Sequence, residues 1–268
     1  MSKIQNQDSS SDKHDFADAY DQKDASGFVD SFEHLEYRDP DYLPNALGII
    51  NEYQSNYLAG ETLTILDLCS SYGLNSGFLR FGRFHDKLLD FLKYADPQDP
   101  YTHRNTPLWD KSHQIIGLDK AMNALTYGMK IGAFDSVVHQ SLEDGDFSRE
   151  EYMAVSKTNL IVSTGSLSYV TYRTISKILS CIGREKPLLA LFWPIMGHDT
   201  RDVVKVLADN GLSVTIDPKY LWHRKFVNED EEKSLLARTG VRENLQINKI
   251  SRKGVYVSRL TAIRTKPM

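Results

Sequence analysis

The sequence predicts an α/β protein, a three-layer sandwich whose central sheet has seven mostly parallel strands. Short segments rich in leucine and β-branched residues recur along the chain, and each is short enough to be a buried strand. Segments with helical apolar spacing lie between most of them. Parallel strands are buried on both faces because the connecting helices cover the sheet from both sides. We therefore expect helices on both faces of one sheet.

Composition places the chain among ordinary folded proteins. Hydrophobic residues make up 41% and charged residues 25% of 268 residues, which fits one large domain or two small ones. The apolar runs are shorter than a membrane span, and the N-terminus lacks the apolar segment of a secretory leader. The two cysteines, Cys69 and Cys181, match no metal-ligand spacing and fit a reduced compartment. We expect a cytoplasmic protein with no membrane partner and no metal.

The N-terminal quarter divides into a tail and a helical cap. Residues 1–14 are polar, so we expect them to be disordered. Residues 15–60 carry apolar residues at helical spacing, which predicts two or three helices interrupted near Pro40 and Pro44. The remainder, with this cap, is expected to form a single domain over 15–268.

The predicted strands and helices then alternate. The strand segments are 62–68, 113–119, 134–141, 158–165, 186–195, 212–218 and 254–264. The helix segments are 74–95 (one or two helices), 120–132, 172–183, 198–211 and 228–240. Two inserts are expected, at 81–112 and at 219–252. The last two strands lack a full crossover connection, so the final strand is predicted to be antiparallel.

The first strand and its loop, ILDLCSSYGLNSGFL, form the first candidate site. Ligands of such sheets bind beyond the carboxyl ends of the strands. Asp67 lies within the apolar strand, Gly73 allows a tight turn, and a helix starting near Leu74 would direct free amides at an anion or carboxylate. An ordinary strand–turn–helix corner explains the same residues equally well.

The second strand ends at an acidic residue, Asp119, in IIGLDKAMNAL. A carboxylate in this position can accept two hydrogen bonds from a ribose diol. Aspartate is also a preferred residue at a helix N-terminus, and both roles are compatible.

Taken together, ILDLCSSYG and IIGLDKAMNAL resemble the class I S-adenosylmethionine-dependent methyltransferases. NLIVSTGSLSYVT stands where that family has its fourth strand and the loop beneath the methyl donor. KPLLALFWP, LSVTIDP and GVYVSRLTAIR are similar to its last three strands. The resemblance covers about residues 60–265. It implies a Rossmann-like fold, S-adenosylmethionine as methyl donor and a methyltransferase activity.

The resemblance implies a methionine side of the donor site. Asp67 would orient the methionine amine, directly or through water. The loop residues that would lie against the methionine part are Cys69, Ser70, Ser71 and Gly73. The loop departs from the family pattern because it has one glycine where the family has several, and because Tyr72 is bulky.

The resemblance also implies an adenosine side. Asp119 would hold the ribose hydroxyls, and Lys120 with Ala121 or Met122 would border the adenine. The residues after the third strand that would follow the adenine are Gln140, Ser141 and Leu142, with the Gln140 carbonyl facing the adenine amine. The floor beneath the sulfonium would consist of Thr164, Gly165 and Ser166. The separation of Asp67 and Asp119 is longer than the family needs.

A nicotinamide-dependent dehydrogenase is the competing nucleotide-binding hypothesis. It requires a G-x-G-x-x-G sequence after the first strand, and LDLCSSYGLNSG does not supply one. The sequence therefore favours the methyltransferase.

The methyl acceptor is expected to bind between the N-terminal cap and the 81–112 insert. Tyr20, in DAYDQKD, either closes the donor pocket, as a tyrosine near the start does in related methyltransferases, or lies on a helix surface. His198 is the best-placed candidate base, and capping of the next helix explains this residue at least as well. His223 is the second candidate and is expected on the surface of an insert. Arg80 is expected on a solvated helix face.

Aromatic residues are the other candidates for an acceptor pocket, with core packing as the equal alternative. They are Tyr37, Trp109, Tyr169, Tyr172, Trp193 and Trp222. The predicted function is methyl transfer to the oxygen or nitrogen of a small molecule, with a homodimer possible. The alternatives are a non-catalytic interaction module of the same fold and a protein or RNA methyltransferase. The net charge of -4 counts against nucleic acid as a partner.

Overall fold

The computed structural model describes residues 20–38, 42–81, 85–94, 113–238 and 253–265, without the side chains of 85–88. The helices are α1 (Ser26–Glu33), α2 (Leu47–Tyr57), α3 (Leu74–Phe81), α4 (His85–Tyr94), α5 (Met122–Lys130), α6 (Arg149–Val155), α7 (Tyr172–Ile182), α8 (Arg201–Asp209) and α9 (Glu229–Arg238). The strands are β1 (Thr64–Leu68), β2 (Gln114–Asp119), β3 (Ser136–His139), β4 (Leu160–Thr164), β5 (Leu188–Trp193), β6 (Ser213–Arg224) and β7 (Val255–Arg264).

All seven strands form one sheet in the order β3-β2-β1-β4-β5-β7-β6. β1 pairs in parallel with both β2 and β4, and β7 is antiparallel to β5 and β6. The strand order reverses at β1, where β2 and β4 lie on opposite sides, so the switch point of the sheet is at the end of β1. The predicted Rossmann-like fold with an antiparallel last strand is confirmed.

Two apolar cores, one on each face of the sheet, hold the layers together. Alternate residues of β1 divide between them: Ile65 belongs to the core under α1 to α5, whereas Leu66 and Leu68 belong to the core under α7 and α8. β5 is buried along its whole length, as expected of a central strand covered on both faces.

α6 is a helix that the sequence analysis did not predict. It begins at a capping box, in which Ser148 accepts a hydrogen bond from the Glu151 amide and Glu151 accepts one from the Ser148 amide. This Ser-x-x-Glu pattern was readable in the sequence. The helix has only seven residues and only Val155 is buried, so its apolar periodicity is too weak to reveal it.

The predicted boundary between β6 and the 219–252 insert is wrong. β6 continues from Ser213 to Arg224, past Pro218, with register shifts between Ile216 and Tyr220 and again near its end. Proline removes one backbone donor, and this loss is tolerated because β6 is the edge strand of the sheet that the described residues form. The charged helix α9 follows, as predicted.

The other predicted segments fall partly outside the described residues. This applies to the 1–14 tail, to 95–112 of the first insert and to 239–252 of the second. In the described part of the N-terminal cap, α1 and α2 bury Phe28, Phe32 and Ile50 in the core on their face of the sheet.

Candidate active site

The loop between β1 and α3 has a strained backbone. Cys69 and Ser71 have φ values of 56° and 48°, and Gly73 has 86°. A left-handed conformation costs a residue with a Cβ about 1–2 kcal/mol, so two such residues in one loop are stored strain. Strain of this kind persists where surrounding contacts impose it, and it clusters at ligand-binding sites. At Cys69 and Ser71 the loop has the left-handed backbone conformation for which proteins normally use glycine.

Asp67 anchors this loop from below. It is fully buried, and its carboxylate accepts hydrogen bonds from the Ser76 hydroxyl at 2.6 Å, the Ser76 amide at 3.2 Å and the Asn75 side-chain amide at 3.1 Å. A carboxylate at the first turn of α3 also interacts favourably with the helix dipole. Asn75 in turn contacts the Thr164 hydroxyl at the end of β4. Asp67 thus ties the ends of β1 and β4 to the start of α3.

Asp119 holds the loop from the neighbouring strand. One carboxylate oxygen accepts the Ser71 amide at 2.8 Å, and the other accepts the Ala121 amide at 3.0 Å. Burial raises the pKa of Asp119, and these backbone amides oppose that rise. The residue is still partly exposed, and each oxygen has a second lone pair. Asp119 therefore has both of the predicted roles available, a hydrogen bond at the start of α5 and acceptance of a diol.

The serine hydroxyls of the loop are buried without partners. Ser70 and Ser71 are 4% and 7% exposed, and neither Oγ has a hydrogen-bond partner among the described residues. A buried hydroxyl without a partner costs about 1–3 kcal/mol. A ligand with polar groups along this loop would satisfy both hydroxyls.

Tyr72 leaves the loop accessible despite its size. Its ring is fully buried against Phe28 and Tyr127, and its hydroxyl contacts the backbone of Gln22 at 2.8 and 3.0 Å. The side chain therefore points into the helical layer, and the departure from the family pattern does not block the loop.

The segment before α1 is fastened to the same corner. The Asp21 carboxylate accepts the Asn123 amide at 2.8 Å, at the first turn of α5. Tyr20, just before it, packs edge-on against Phe28 and Phe32. This brings the predicted pocket-closing tyrosine to the side of the sheet that carries the loop. Its role in closing a pocket stays a prediction.

A phenylalanine supports the loop from within. A Cβ on Gly73 would lie 2.9 Å from the Ala133 Cβ and 3.0 Å from the Phe134 ring. A Cβ on Gly117 or Gly128 would come equally close to the same ring or closer, at 2.9 and 2.3 Å. Three glycines therefore form a cradle for Phe134, and the close approach of backbone to ring requires their lack of side chains.

The residues after β3 close a loop of their own. Gln140 donates to the Asp146 carbonyl and accepts the Ser141 amide, so its amide spans the turn. Leu142 is buried in the core. Its neighbour Glu143 accepts hydrogen bonds from Thr171 and Thr174; burial opposes ionisation, but these bonds lower the pKa of Glu143 overall. The adenine contacts of Gln140, Ser141 and Leu142 stay predictions.

His223 lies on β6, next to the end of β4. The expectation that it lies on the surface of an insert is wrong. It is 4% exposed on β6, and its Nε2 atom lies 3.9 Å from a Cβ built on Gly165. Its Nδ1 atom contacts the Tyr42 hydroxyl at 2.9 Å. Burial and, secondarily, the Arg224 charge lower the pKa of His223 well below its usual range. The extension of β6 across the predicted boundary placed this histidine in the core.

His198 lies in the turn between β5 and α8, where its amide donates to the Ile195 carbonyl. The adjacent Asp199 accepts the Arg201 guanidinium and amide, and these bonds lower the pKa of Asp199 to about 2. The helix start is thus held by Asp199. The assignment of His198 as a base stays a prediction.

Other sequence candidates fall in different places. Arg80 is 11% exposed and pairs with Asp135, which also accepts the Ile115 amide, so the expectation of a solvated face is wrong. Among the aromatic candidates, Tyr37 and Trp193 are buried near His223 or Tyr42, whereas Tyr169 and Tyr172 are exposed. Trp109 lies outside the described residues.

Among the described residues, no three or more histidine, cysteine, aspartate or glutamate side chains form a group suited to a metal ion. No helix in that part of the chain is long and apolar enough to cross a membrane.

No family model matches the chain, and no curated protein matches it. Among solved structures, magnesium protoporphyrin IX methyltransferase from Synechocystis PCC 6803 with bound S-adenosylmethionine is 14% identical, with 89% of this chain and 84% of that chain covered at a TM-score of 0.44. A SAM-dependent methyltransferase from Aquifex aeolicus is 12% identical over 94% and 99%, at 0.43. Geranyl diphosphate C-methyltransferase from Streptomyces coelicolor A3(2) is 13% identical over 81% and 75%, at 0.40. Similarities this low do not indicate what this chain binds.

Proposed function

We propose that this protein is an S-adenosylmethionine-dependent methyltransferase that acts on a small molecule. The observation that carries the proposal is the Cys69–Gly73 loop, strained at the switch point of the sheet and hydrogen-bonded to Asp119. A doubly wound sheet binds its ligand at this position. The sequence resemblance of ILDLCSSYG and IIGLDKAMNAL supports the same donor.

The groups of the loop fit such a donor chemically. The Asp119 carboxylate already interacts with the backbone amides of Ser71, Ala121 and Lys120, and it is exposed enough to accept a hydroxyl of a ribose diol as well. The unpaired hydroxyls of Ser70 and Ser71 suit the polar amino-acid part. Asp67 acts at the base of the loop, where its bonds to Asn75 and Ser76 hold the turn in place.

The donor supplies an activated methyl group, and the chain's contribution is alignment and exclusion of water. Thr164 ends β4 and Gly165 follows it at the switch point, and the Asn75 contact connects Thr164 to the anchored loop. Because displacement at a sulfonium has a good leaving group, a rigid and dry site can supply much of the rate enhancement. Burial and the carboxylates of Asp119 and Asp67 raise the pKa of the Cys69 thiol, so this thiol stays protonated and is not a nucleophile.

A small-molecule acceptor is favoured by the surroundings of Gly165. Buried aromatic rings of Tyr42 and Trp193 stack at 6.2 Å between centroids, and Tyr37 packs against His223 nearby. Aromatic walls with a few polar groups are typical of small-molecule sites. The N-terminal cap, which contributes Tyr37 and Tyr42, would enclose such an acceptor.

The decisive experiment is titration with S-adenosylmethionine and S-adenosylhomocysteine by calorimetry. We expect binding near the micromolar range, about -8 kcal/mol. Asp119→Ala should weaken binding by about 1–3 kcal/mol because it removes a hydrogen-bonding partner. Asp209→Ala, on the exposed face of α8, is the matched control and should leave affinity unchanged.

Other outcomes point elsewhere. If folded wild-type protein binds neither compound, the non-catalytic interaction module becomes the better account. If Asp119→Ala binds as tightly as wild type, the ribose assignment is wrong. A shift of RNA mobility at low salt would favour the RNA methyltransferase alternative.

A further inference from the structure

The imidazole of His223 lies next to Gly165, at the end of β4. Gly165 has a φ of 68°, and among the described residues the Nε2 atom of His223 is the one heavy atom within 4 Å of a Cβ built there. Gly165 follows β4 directly, at the switch point of the sheet. A group bound over Gly165 would therefore meet Nε2.

A β-bulge directs this side chain. On β7 the partners of Trp222 and Arg224 are the adjacent residues Tyr256 and Val255, so His223 is an extra residue on β6. Bulges change the direction of a side chain and occur preferentially near active sites. The extra residue turns the imidazole into the protein, where it is 4% exposed.

Tyr42 selects the tautomer of the ring. The Tyr42 hydroxyl lies 2.8 Å from the Trp222 carbonyl and 2.9 Å from His223 Nδ1. The carbonyl can only accept, so the single hydroxyl proton is donated to it. Nδ1 must then be the donor to the hydroxyl oxygen. A neutral imidazole with its proton on Nδ1 has a bare lone pair on Nε2.

The ring is also kept neutral. It packs edge-on against Tyr37 with centroids 4.9 Å apart, and burial lowers the pKa of His223. The adjacent cation, Arg224, forms a two-bond pair with Glu231 at 2.6 and 2.8 Å. Among the described residues, the titratable groups that contact the ring, or whose charge acts on it, are Tyr37, Tyr42 and Arg224. None of them supplies a negative charge that would favour an imidazolium.

We propose that Nε2 of His223 is the proton acceptor for the methyl-receiving group, which would be an O–H or N–H borne by a small aromatic or otherwise flat molecule. This role rests on the proposed methyltransferase function. Tyr42 is the positioning residue, since it acts by holding the tautomer.

The proposed step is balanced within the site. The acceptor's oxygen or nitrogen forms a bond to the methyl carbon as the carbon–sulfur bond breaks, and that electron pair stays on sulfur. The acceptor's proton moves to Nε2, and the resulting imidazolium later releases it to solvent. A ring that is neutral before the step has the lone pair that the proton requires.

The tautomer is tested by recording the imidazole ¹⁵N resonances of uniformly labelled protein from about pH 8 to about pH 5.5. His223→Gln assigns the His223 signals by their loss, and His34→Gln does the same for an exposed control ring on α1. We expect the neutral ring to carry its proton on Nδ1 and to leave Nε2 without one. Tyr42→Phe should shift the Nε2 resonance towards the protonated value. A neutral wild-type ring with its proton on Nε2 overturns the proposal.

The location is tested by adding phenol and then aniline to protein saturated with S-adenosylhomocysteine. We expect either probe to move the Nε2 resonance of His223 while the His34 resonances stay in place. No movement with either probe overturns the proposal. Calorimetry tests the proposed donor site separately from the role of His223, because His223→Gln should bind S-adenosylhomocysteine within about twofold of wild type. Absence of binding by wild type would contradict the proposed function itself, whereas binding with a protonated Nε2 contradicts the role of His223 alone.

Discussion

The two ends of the candidate site are built in different ways. At one end, the carboxylate of Asp119 on β2 accepts the backbone amide of Ser71 in the Cys69–Gly73 loop, and the carboxylate of Asp67 on β1 accepts the Ser76 hydroxyl only nine residues away. At the other end, His223 meets Tyr42, which lies 181 residues away in the chain. Aromatic rings from the N-terminal cap enclose that end. One end is local and polar, whereas the other is assembled from distant segments.

The two ends should therefore respond differently to substitution. The loop is strained but is held by hydrogen bonds to the neighbouring strand β2, and Asp67 holds the start of α3 beside it, so the loop should keep its shape as long as β1, β2 and α3 are folded. The His223 end depends on the packing of the N-terminal cap against β6, and the single hydroxyl of Tyr42 sets the tautomer of the His223 ring. We therefore expect changes at the loop to act on backbone geometry and changes at His223 to act on protonation.

The largest effect should come from Gly73→Ala. The new Cβ would lie 2.9–3.0 Å from Ala133 and Phe134, in addition to the cost of the positive φ. We expect the free energy of unfolding in urea to fall by about 3–4 kcal/mol. Gly60→Ala is the matched control, because Gly60 has a φ of 78° and no heavy atom within 4 Å of a built Cβ. It should lose only about 1–2 kcal/mol. Equal losses would show that close packing adds nothing at Gly73.

At the other end, Tyr42→Phe should cost less than Gly73→Ala. It removes the hydroxyl between the Trp222 carbonyl and His223 Nδ1 and leaves a buried donor unpaired. We expect a loss of about 1–3 kcal/mol in urea unfolding. Tyr152→Phe, on the exposed side of α6, is the control and should be neutral. A neutral Tyr42→Phe would mean that the cap does not hold the ring.

The free energy of unfolding at acid pH should show that His223 is buried and neutral in the folded protein. Its pKa is lowered in the folded protein by burial and by Arg224, so the unfolded chain binds this proton more readily. Stability is therefore lost as pH falls below the usual value of 6.5. Between about pH 6.5 and about pH 5.5, wild type should therefore lose more stability than His223→Gln. Identical slopes for wild type and variant would contradict the assignment, and His34→Gln serves as control.

The smallest effect should have the opposite sign. Ser71→Gly relieves a φ of 48° and removes a buried hydroxyl without a partner, against the larger chain entropy of glycine. We expect unfolding to become harder by about 0.5–1 kcal/mol, with weaker donor binding. Ala59→Gly relieves a φ of 51° at an exposed position, so it isolates the backbone contribution. If Ser71→Gly destabilises the protein, the loop is not strained in the way that its φ values indicate.

Sequence reasoning located the local end of the site, whereas it named His223 and several aromatic residues of the other end without placing them together. The apolar strand segments led directly to β1 and β2, and the acidic residues in them identified Asp67 and Asp119. Tyr72 was read as an obstruction because nothing in the loop sequence says which way its ring points. Its partners, Phe28 and Gln22, lie about 45–50 residues earlier. His223 was expected on a surface because a proline at 218 suggested the end of a strand.

The sequence alone determined the sheet, its switch point and the two carboxylates beside it, because strand burial and turn chemistry are encoded within a few residues of each other. The tertiary structure decided the rest. It brought Tyr42 to His223, placed an extra residue in β6 to turn the imidazole inward, and cradled Phe134 among three glycines. Such arrangements depend on contacts between segments far apart in the chain, and no local pattern of residues encodes which distant partner a side chain will meet.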